Sequence, residues 1–226
     1  MLRFWGSRTL ARPAEHVARV CRSVTDGVSS YTSDVKERVG VFGGTFDPVH
    51  VGHVTAAVDV RDALDLDRVL LVPAGEPWQK ASRSVSERDV RVDMADLACA
   101  DLVGIEVSRI EIDRDGPSVT ADTLEALGAV DRELFLILGA DAAANMSTWK
   151  RLPETRLLCT VVVVTRDGET ADPPGDDWKW EQVHVPRLDV SSSDLRNRIA
   201  NGRPIDGLVP APVVQFILEH DLYTST

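Results

Sequence analysis

Short runs of aliphatic and β-branched residues alternate with segments of helical periodicity from residue 38 onward. The extended runs predict strands at residues 38–43, 68–73, 102–107, 133–139, 158–165 and 182–185. Between them, the apolar spacing predicts helices at residues 50–64, 85–100, 119–128 and 194–200, with a last helix at 213–220. Strands that alternate with helices form βαβ units, in which helices cover both faces of a parallel sheet. We therefore expect an α/β fold with a doubly wound parallel sheet.

The exit of the first predicted strand carries two adjacent glycines, Gly43 and Gly44, and Pro48 lies just before the first predicted helix. Glycine lets a ligand approach bare backbone, and proline is suited to the opening of a helix. Free N–H groups and the helix macrodipole favour anions at such a junction, and ligands of open α/β sheets bind at this edge. We expect a phosphate there. The stretch matches neither G-x-G-x-x-G nor G-x-x-x-x-G-K-[ST], which disfavours a dinucleotide oxidoreductase and a P-loop enzyme.

Two histidines, His50 and His53, lie three residues apart in the first turn of the predicted helix. Their imidazoles share one helical face, as a pair of donors to a polyphosphate requires. The same spacing also permits a metal ion. No nearby carboxylate or cysteine completes a ligand set, however, and helix starts favour anions over cations. We therefore interpret the pair as phosphate contacts and assign no metal-ligating residues.

Composition limits the partners and the compartment. The chain has 36 acidic and 25 basic residues and a net charge of −11, which argues against binding to nucleic acid or to an anionic membrane surface. No apolar run approaches the roughly 20 residues that span a bilayer. The three cysteines are widely spaced and form neither a disulfide framework nor a zinc motif, which fits the reducing cytoplasm. Self-association into a homo-oligomer is left open.

The N-terminal segment differs from the rest of the chain. Residues 1–25 contain five arginines and a single acidic residue, and no strand pattern begins before residue 38. The segment lacks the continuous apolar stretch of a secretory signal. We predict that residues 1–37 are an extension, either a flexible leader or the product of a mis-set start, and that residues 38–226 form one domain.

Five motifs occur in order along residues 38–222. They are G-G-T-F-D-P-V-H-V-G-H at 43–53, P-A-G-E-P-W-Q-K at 73–80, P-S-V-T-A-D-T-L at 117–124, G-A-D at 139–141 followed by Trp149, and V-S-S-S-D-L-R at 190–196. Together they resemble the HxGH nucleotidylyltransferase superfamily, and specifically the bacterial nicotinate-nucleotide adenylyltransferases. The resemblance implies a Rossmann-like sheet of the nucleotidylyltransferase type.

The resemblance also implies roles for individual residues. His50 and His53 are the implied catalytic residues. The implied ATP-binding residues are Gly43, Gly44, Thr45, Phe46, Gly139, Asp141, Ser191, Ser192, Ser193 and Arg196. The implied substrate-binding residues are Lys80, Arg83, Thr120 and Trp149. In this assignment Asp141 accepts from ribose hydroxyls and the pyridine ring stacks on Trp149. The chain departs from the family at Val119, where tyrosine is common, and this leaves acceptance of both acid and amide substrates open.

The implied reaction is adenylyl transfer in NAD biosynthesis. The 5′-phosphate of nicotinate mononucleotide attacks the α-phosphorus of ATP, which gives nicotinate adenine dinucleotide and pyrophosphate. Phosphate is already a nucleophile at pH 7, so the residues need only position two anions and stabilise developing charge. Mg²⁺ is expected on the ATP phosphates, because this ion keeps part of its hydration shell.

Two alternatives share parts of this pattern. A pantetheine-phosphate adenylyltransferase would share H-x-G-H and the fold, but is not expected to carry P-S-x-T-x-D-T-L with the G-x-D and tryptophan pair. A nucleotide-binding regulator without activity would keep the sheet and lose His50, His53 or the cluster at residues 191–196. Since the chain retains all of these, the enzyme is favoured.

Overall fold

The computed structural model describes residues 36–76, 85–166, 169–172 and 175–224, which belong to one compact unit, Val35–Thr226. The strands are β1 (Glu37–Gly44), β2 (Arg68–Pro73), β3 (Ile105–Val107), β4 (Arg132–Gly139), β5 (Thr160–Arg166) and β6 (Trp180–Val185). The helices are α1 (Val51–Ala63), α2 (Arg88–Cys99), α3 (Thr120–Leu127), α4 (Ala140–Ala144), α5 (Leu152–Leu158), α6 (Ser192–Ala200) and α7 (Ala211–Glu219), with a 3₁₀ turn at Met146–Thr148. None of the helices in these described ranges is long and apolar enough to cross a bilayer.

Within the described residues, the strands form one sheet in the order β3-β2-β1-β4-β5-β6, and every neighbouring pair is parallel. The chain winds outward from β1 in one direction as far as β3 and then restarts beside β1 with β4. The order therefore reverses between β1 and β4, which is where open α/β sheets leave a crevice for ligands. The doubly wound parallel sheet expected from the sequence is confirmed.

The core lies on both faces of this sheet. Alternate residues of β4 point to opposite sides: Leu134, Leu136 and Leu138 join one apolar cluster, whereas Phe135 and Ile137 join the other. All five are buried, and each such side chain contributes about 1.5–3 kcal/mol relative to exposure. A strand that is buried on both faces needs a continuous apolar run, and this is the pattern that made β4 predictable.

The region between β4 and β5 departs from the prediction. Helices α4 and α5 and the 3₁₀ turn were not expected, and β5 begins at Thr160 rather than at Leu158, which ends α5. Each of these elements is at most seven residues long, too short to show helical periodicity. Strand β3 is also shorter than predicted, because Gly104 adopts a positive φ of 73° and turns the chain just before it.

Candidate active site

The two strands on either side of the order reversal both end in glycine. A Cβ atom added to Gly43 or to Gly139 would meet nothing within 4 Å, so both positions face open space. At Gly44 a Cβ would lie 2.8 Å from the ring of Phe46, which folds back over the strand end. The structure thus brings the two predicted glycine segments together at one edge of the sheet.

The loop after β1 reverses the chain within a few residues. Phe46 has a positive φ of 51°, its side chain is buried, and the Asp47–Pro48 peptide bond is cis. The prediction that Pro48 opens the helix is wrong: α1 begins at Val51, and His50 is its N-cap. The ring of Phe46 lies 5.0 Å from that of His53 in an edge-to-face contact, so Phe46 supports the histidine rather than presenting an open surface to a ligand.

His50 and His53 form the stacked pair that their spacing suggested. Their ring centroids are 3.7 Å apart, and the backbone N–H of His50 donates to Nδ1 of His53 over 3.2 Å. A ring nitrogen that accepts a hydrogen bond carries no proton, so the proton of neutral His53 resides on Nε2. The loop backbone therefore orients His53 as a donor through Nε2.

Burial sets the charge of His50. Its side chain is 7% exposed, and desolvation, together with the positive charge of Arg166, lowers its pKa from 6.5 to about 4. His50 is therefore neutral at pH 7. Gly52 explains how the ring fits: a Cβ at this position would lie 3.1 Å from Nδ1 of His50, so the imidazole packs directly on the helix backbone. The glycine of H-x-G-H thus makes room for the first histidine.

The start of α6 lies against the same loop. Ser191 is the N-cap of α6 and accepts from the backbone N–H of Asp194 over 3.1 Å. The hydroxyl of Ser192 donates to the Pro48 carbonyl over 2.9 Å. Arg196 donates to the Asp47 carbonyl and, over 3.2 Å, to the hydroxyl of Ser193. Two segments that are 144 to 149 residues apart in the sequence therefore form one site.

These groups line a cleft of about 610 Å³. The predicted residues that line it are Gly44, Thr45, Phe46, His50, His53, Gly139, Asp141, Ser191, Ser192, Ser193 and Arg196. Arg166, at the end of β5, also lines the cleft and adds a second guanidinium. The sequence analysis missed Arg166, because a lone arginine after a strand carries no motif. With two guanidiniums, two imidazoles and a helix start, the cleft suits a polyphosphate.

The Asp47 carboxylate anchors the loop after β1. Its carboxylate accepts from the hydroxyl of Tyr223 over 2.6 Å and from the backbone N–H of Ser86 over 3.5 Å, and it lies 3.8 Å from the Arg196 guanidinium. Asp47 is 4% exposed. Burial and the Asp47 carboxylate raise the pKa of Tyr223, so the phenol stays protonated as a donor. Sequence reasoning did not find this network, since Tyr223 lies in no motif.

The Arg91 side chain joins the loop after β1 to both ends of the connection between β2 and α2. It is 1% exposed and donates to the carbonyls of Thr45, Gly75 and Ser86 over 3.0, 3.3 and 3.0 Å. Thr45 belongs to the loop after β1, whereas Gly75 and Ser86 flank residues 77–84. Burial lowers the pKa of Arg91, although the nearby negative charge of Asp47 raises it. Since a buried guanidinium needs acceptors on its N–H groups, Arg91 fixes these backbone segments relative to one another.

A second cavity of about 940 Å³ lies on the other side of the β1 exit. Thr120 and Trp149, two of the residues implied to bind the substrate, both line it, together with Val119 and Lys150. Helix α3 begins at Thr120, so the backbone N–H groups of its first turn, which have no acceptor within the helix, lie beside this cavity. Lys80 and Arg83, the other predicted substrate contacts, lie outside the described residues.

The two cavities meet. Gly44, Thr45, Asp141 and Ala142 line both of them, so a group bound in one lies next to a group bound in the other at the end of β1. Among the residues that the structure describes, no group of three or more His, Cys, Asp or Glu side chains is placed to hold a metal ion. A divalent cation that arrives with a polyphosphate would instead take its ligands from phosphate and water.

Comparison with known proteins gives consistent matches. A family model described as cytidylyltransferase-like matches residues 41–198. A "Probable nicotinate-nucleotide adenylyltransferase" of Roseiflexus sp. (strain RS-1) is 47% identical over 193 residues, which are 82% of this chain and 97% of the relative. One of Corynebacterium kroppenstedtii with the same description is 45% identical over 199 residues, 85% of this chain and 93% of the relative.

Solved structures agree on the fold. The structure "Plasmodium falciparum nicotinic acid mononucleotide adenylyltransferase complexed with NaAD" superposes with a TM-score of 0.69 at 17% identity, over 83% of this chain and 97% of that one. At this identity the likeness supports the architecture alone. The family assignment rests on the sequence relatives, which confirm the resemblance inferred from the motifs. The chain belongs to the cytidylyltransferase-like family and, within it, to the nicotinate-nucleotide adenylyltransferases.

Proposed function

We propose that this protein transfers AMP from ATP to the 5′-phosphate of nicotinate mononucleotide, in NAD biosynthesis. The observation that carries the proposal is the pair of cavities that meet at Gly44, Thr45, Asp141 and Ala142. One cavity is built for a polyphosphate and the other has an aromatic wall and a helix start. A reaction that joins two nucleotides through their phosphates needs two such subsites in contact.

The donor subsite holds the triphosphate of ATP. Gly44 lets it approach the backbone, the start of α6 and Arg196 bind its β and γ phosphates, and Asp141 accepts from the ribose hydroxyls. Gly43, which was also predicted to bind ATP, lines the second cavity rather than this cleft. Arg166 offers a further cation at this end of the cleft. Arg196 donates to the Asp47 carbonyl, and this contact orients its guanidinium for the phosphates.

The acceptor subsite holds nicotinate mononucleotide. The pyridine ring stacks on Trp149, and its carboxylate accepts from the N–H groups at the start of α3 near Thr120. A carboxamide would turn its NH₂ group toward these donors, and a mismatched buried polar group costs about 1–3 kcal/mol. We therefore propose a preference for the acid. Val119 replaces a tyrosine side chain with a smaller buried one, while Lys80 and Arg83 are proposed contacts for the substrate phosphates.

The chemistry is a single in-line displacement. An oxygen of the acceptor 5′-phosphate forms a bond to the α-phosphorus, the bond from that phosphorus to the α–β bridging oxygen breaks, and pyrophosphate leaves with the electron pair. His53 donates through Nε2 to the phosphate oxygens, where negative charge grows during the reaction. His50, neutral at pH 7, has one ring N–H with which to donate to these oxygens. Mg²⁺, bound through the ATP phosphates, would neutralise the leaving pyrophosphate.

The proposal extends to the rest of the chain. Residues 1–34 are an extension outside the catalytic domain, because the compact unit begins at Val35 and β1 already includes Glu37. The enzyme acts in the cytoplasm, and neither nucleic acid nor membrane is a partner. Whether copies of the chain associate is testable by light scattering.

A chain that starts at Val35 should keep its melting temperature and kcat, because β1 begins only at Glu37. A drop of more than a few degrees, or a severalfold loss of kcat, would contradict this boundary.

The decisive experiment supplies purified protein with ATP, Mg²⁺ and one acceptor at a time, and measures pyrophosphate release. Nicotinate mononucleotide should react with a kcat/KM ten to a few hundredfold above that of nicotinamide mononucleotide, by about the cost of one mismatched polar group. Equal values would remove the acid preference. If pantetheine phosphate were the only acceptor to react, it would replace nicotinate mononucleotide as the proposed acceptor. Absence of product with every acceptor would refute adenylyl transfer.

A further inference from the structure

The acceptor cavity has two walls that come from separate parts of the sequence. One wall is the start of α3, with Val119 and Thr120, and the other is the turn that carries Trp149 and Lys150. These two walls belong to different helical elements, each anchored to the sheet through its own connection. The distance between them decides whether a ring on Trp149 can also reach the N–H groups of α3.

Helix α3 packs against α5, and one side chain adds a polar link between the two walls. Arg151, two residues after Trp149, donates to Asp122 and, over 2.6 and 3.1 Å, to both carboxylate oxygens of Glu125 on α3. It also donates to Glu154 on its own helix α5 over 3.3 Å. The guanidinium therefore grips α3 at two points, and its planar fork fixes direction as well as distance.

The backbone of Arg151 supports the idea that the side chain is needed. Arg151 is the N-cap of α5 with φ 55° and ψ 39°, in the left-handed region. Glycine adopts this conformation readily, whereas a side chain is strained in it. Its carbonyl is held by the backbone N–H and the hydroxyl of the buried Thr155, both at 3.1 Å. The hydrogen bonds of the guanidinium therefore offset the strain of a side chain at this backbone position.

Stability alone is a weak explanation for this cluster. The Arg151 side chain is 38% exposed, and those of Asp122, Glu125 and Glu154 are 37–46% exposed. Ion pairs with this exposure contribute little to folding. Asp122, however, lies in the first turn of α3, where an uncompensated carboxylate would repel an anionic acceptor. Arg151 offsets that charge close to the proposed binding groups.

We propose that Arg151 is a positioning residue, which sets the gap between Trp149 and the start of α3 and so determines affinity for the acidic mononucleotide. This inference rests on the proposed function. Arg151 itself does not line either cavity, so it acts through the elements that it joins. Its loss should therefore weaken acceptor binding and leave the ATP subsite intact.

The test compares Arg151→Ala and Arg151→Gly with the wild-type enzyme and with a matched control, Arg156→Ala. Arg156 is on the same helix and pairs with Asp177 over 2.9 Å, away from the acceptor cavity. Both Arg151 variants should raise KM for nicotinate mononucleotide about tenfold, with KM for ATP and kcat within about twofold of wild type. Arg156→Ala should match the wild type. Arg151→Gly, which relieves the backbone, guards against misfolding as the cause.

Further variants separate the two parts of the role. Arg151→Lys keeps the charge without the fork and should recover part of the acceptor affinity. The loss in Arg151→Ala should be larger for nicotinate than for nicotinamide mononucleotide, and an equal loss for both would overturn the electrostatic part. An unchanged acceptor KM, or an equal rise in the KM for ATP, would overturn the proposal. If the wild-type enzyme itself failed to use nicotinate mononucleotide, the proposed function would fall instead.

Discussion

Acidification should destabilise the folded protein through His50. The pKa of this imidazole is about 4 in the folded state because the ring is buried beside Arg166, whereas it is near 6.5 when exposed. Between these values the unfolded chain binds a proton at this position and the folded chain does not. Protons therefore favour unfolding, and the free energy of unfolding falls as the pH drops from 6.5 toward 4.

The size of the effect follows from the two pKa values. Fully expressed, the difference from 6.5 to about 4 corresponds to about 3 kcal/mol, and between pH 7 and pH 5 it amounts to about 2 kcal/mol. Since total stability is of the order of 5–15 kcal/mol, this contribution is measurable. Side chains other than His50 also titrate in this range, so the wild-type curve alone does not isolate it.

The assay uses His50→Gln, which keeps a neutral amide in place of the ring. Urea unfolding of both proteins at pH 7 and pH 5 gives the difference in free energy of unfolding at each pH, and titrations common to both cancel. This difference should shift by about 2 kcal/mol in favour of His50→Gln at pH 5. A shift below about 0.5 kcal/mol, or an imidazole that titrates near pH 6.5 by NMR, would refute the burial argument.

Three further substitutions test the loop after β1. His53→Ala should lower kcat roughly 10²–10³-fold with little change in the KM for ATP, as measured by pyrophosphate release, because the lost donor acts on the transition state; a kcat above about a third of wild type would exclude that role. Gly52→Ala should lower kcat at least about tenfold by displacing the ring of His50, while the free energy of unfolding measured in urea changes by less than about 1 kcal/mol. Tyr223→Phe should cost about 1.5–3 kcal/mol in the same unfolding assay, because Asp47 loses a charge-assisted donor; an unchanged midpoint would contradict the network.

The parts of the fold and site that depend on local sequence could be predicted. The β4 run, the Gly43–Gly44 exit and the His50 and His53 pair each express a constraint that acts within a few residues. The cap at Ser191 is equally local. For these features the residue type itself states the physical requirement: an apolar run for a strand covered on both faces, a missing side chain for backbone access, and a hydroxyl for a helix start.

The parts that depend on tertiary contact could not be predicted. Nothing near Tyr223 in the sequence indicates that its hydroxyl reaches Asp47. A lone arginine after a strand, such as Arg166, is equally compatible with a side chain that extends into solvent. The bridge from Arg151 to α3 needs two helices in register, and α5 itself is too short for its periodicity to be recognised. Such contacts require the sheet order, which brings distant segments together and which no local pattern specifies.

The contact between Tyr223 and Asp47 has a consequence for synthesis of the protein. The two residues are separated by 176 positions, so at about 5–20 residues per second the ribosome needs roughly 10–35 s to supply the tyrosine after the aspartate has been made. The α6 segment, which carries Ser192 and Arg196, also emerges late. During this interval several groups in the loop after β1 can form hydrogen bonds only with water, because their final partners have not yet been made. A nascent chain can therefore build much of its sheet before its proposed nucleotide site exists, and ATP can help to stabilise the protein only after the α6 segment and Tyr223 have been made.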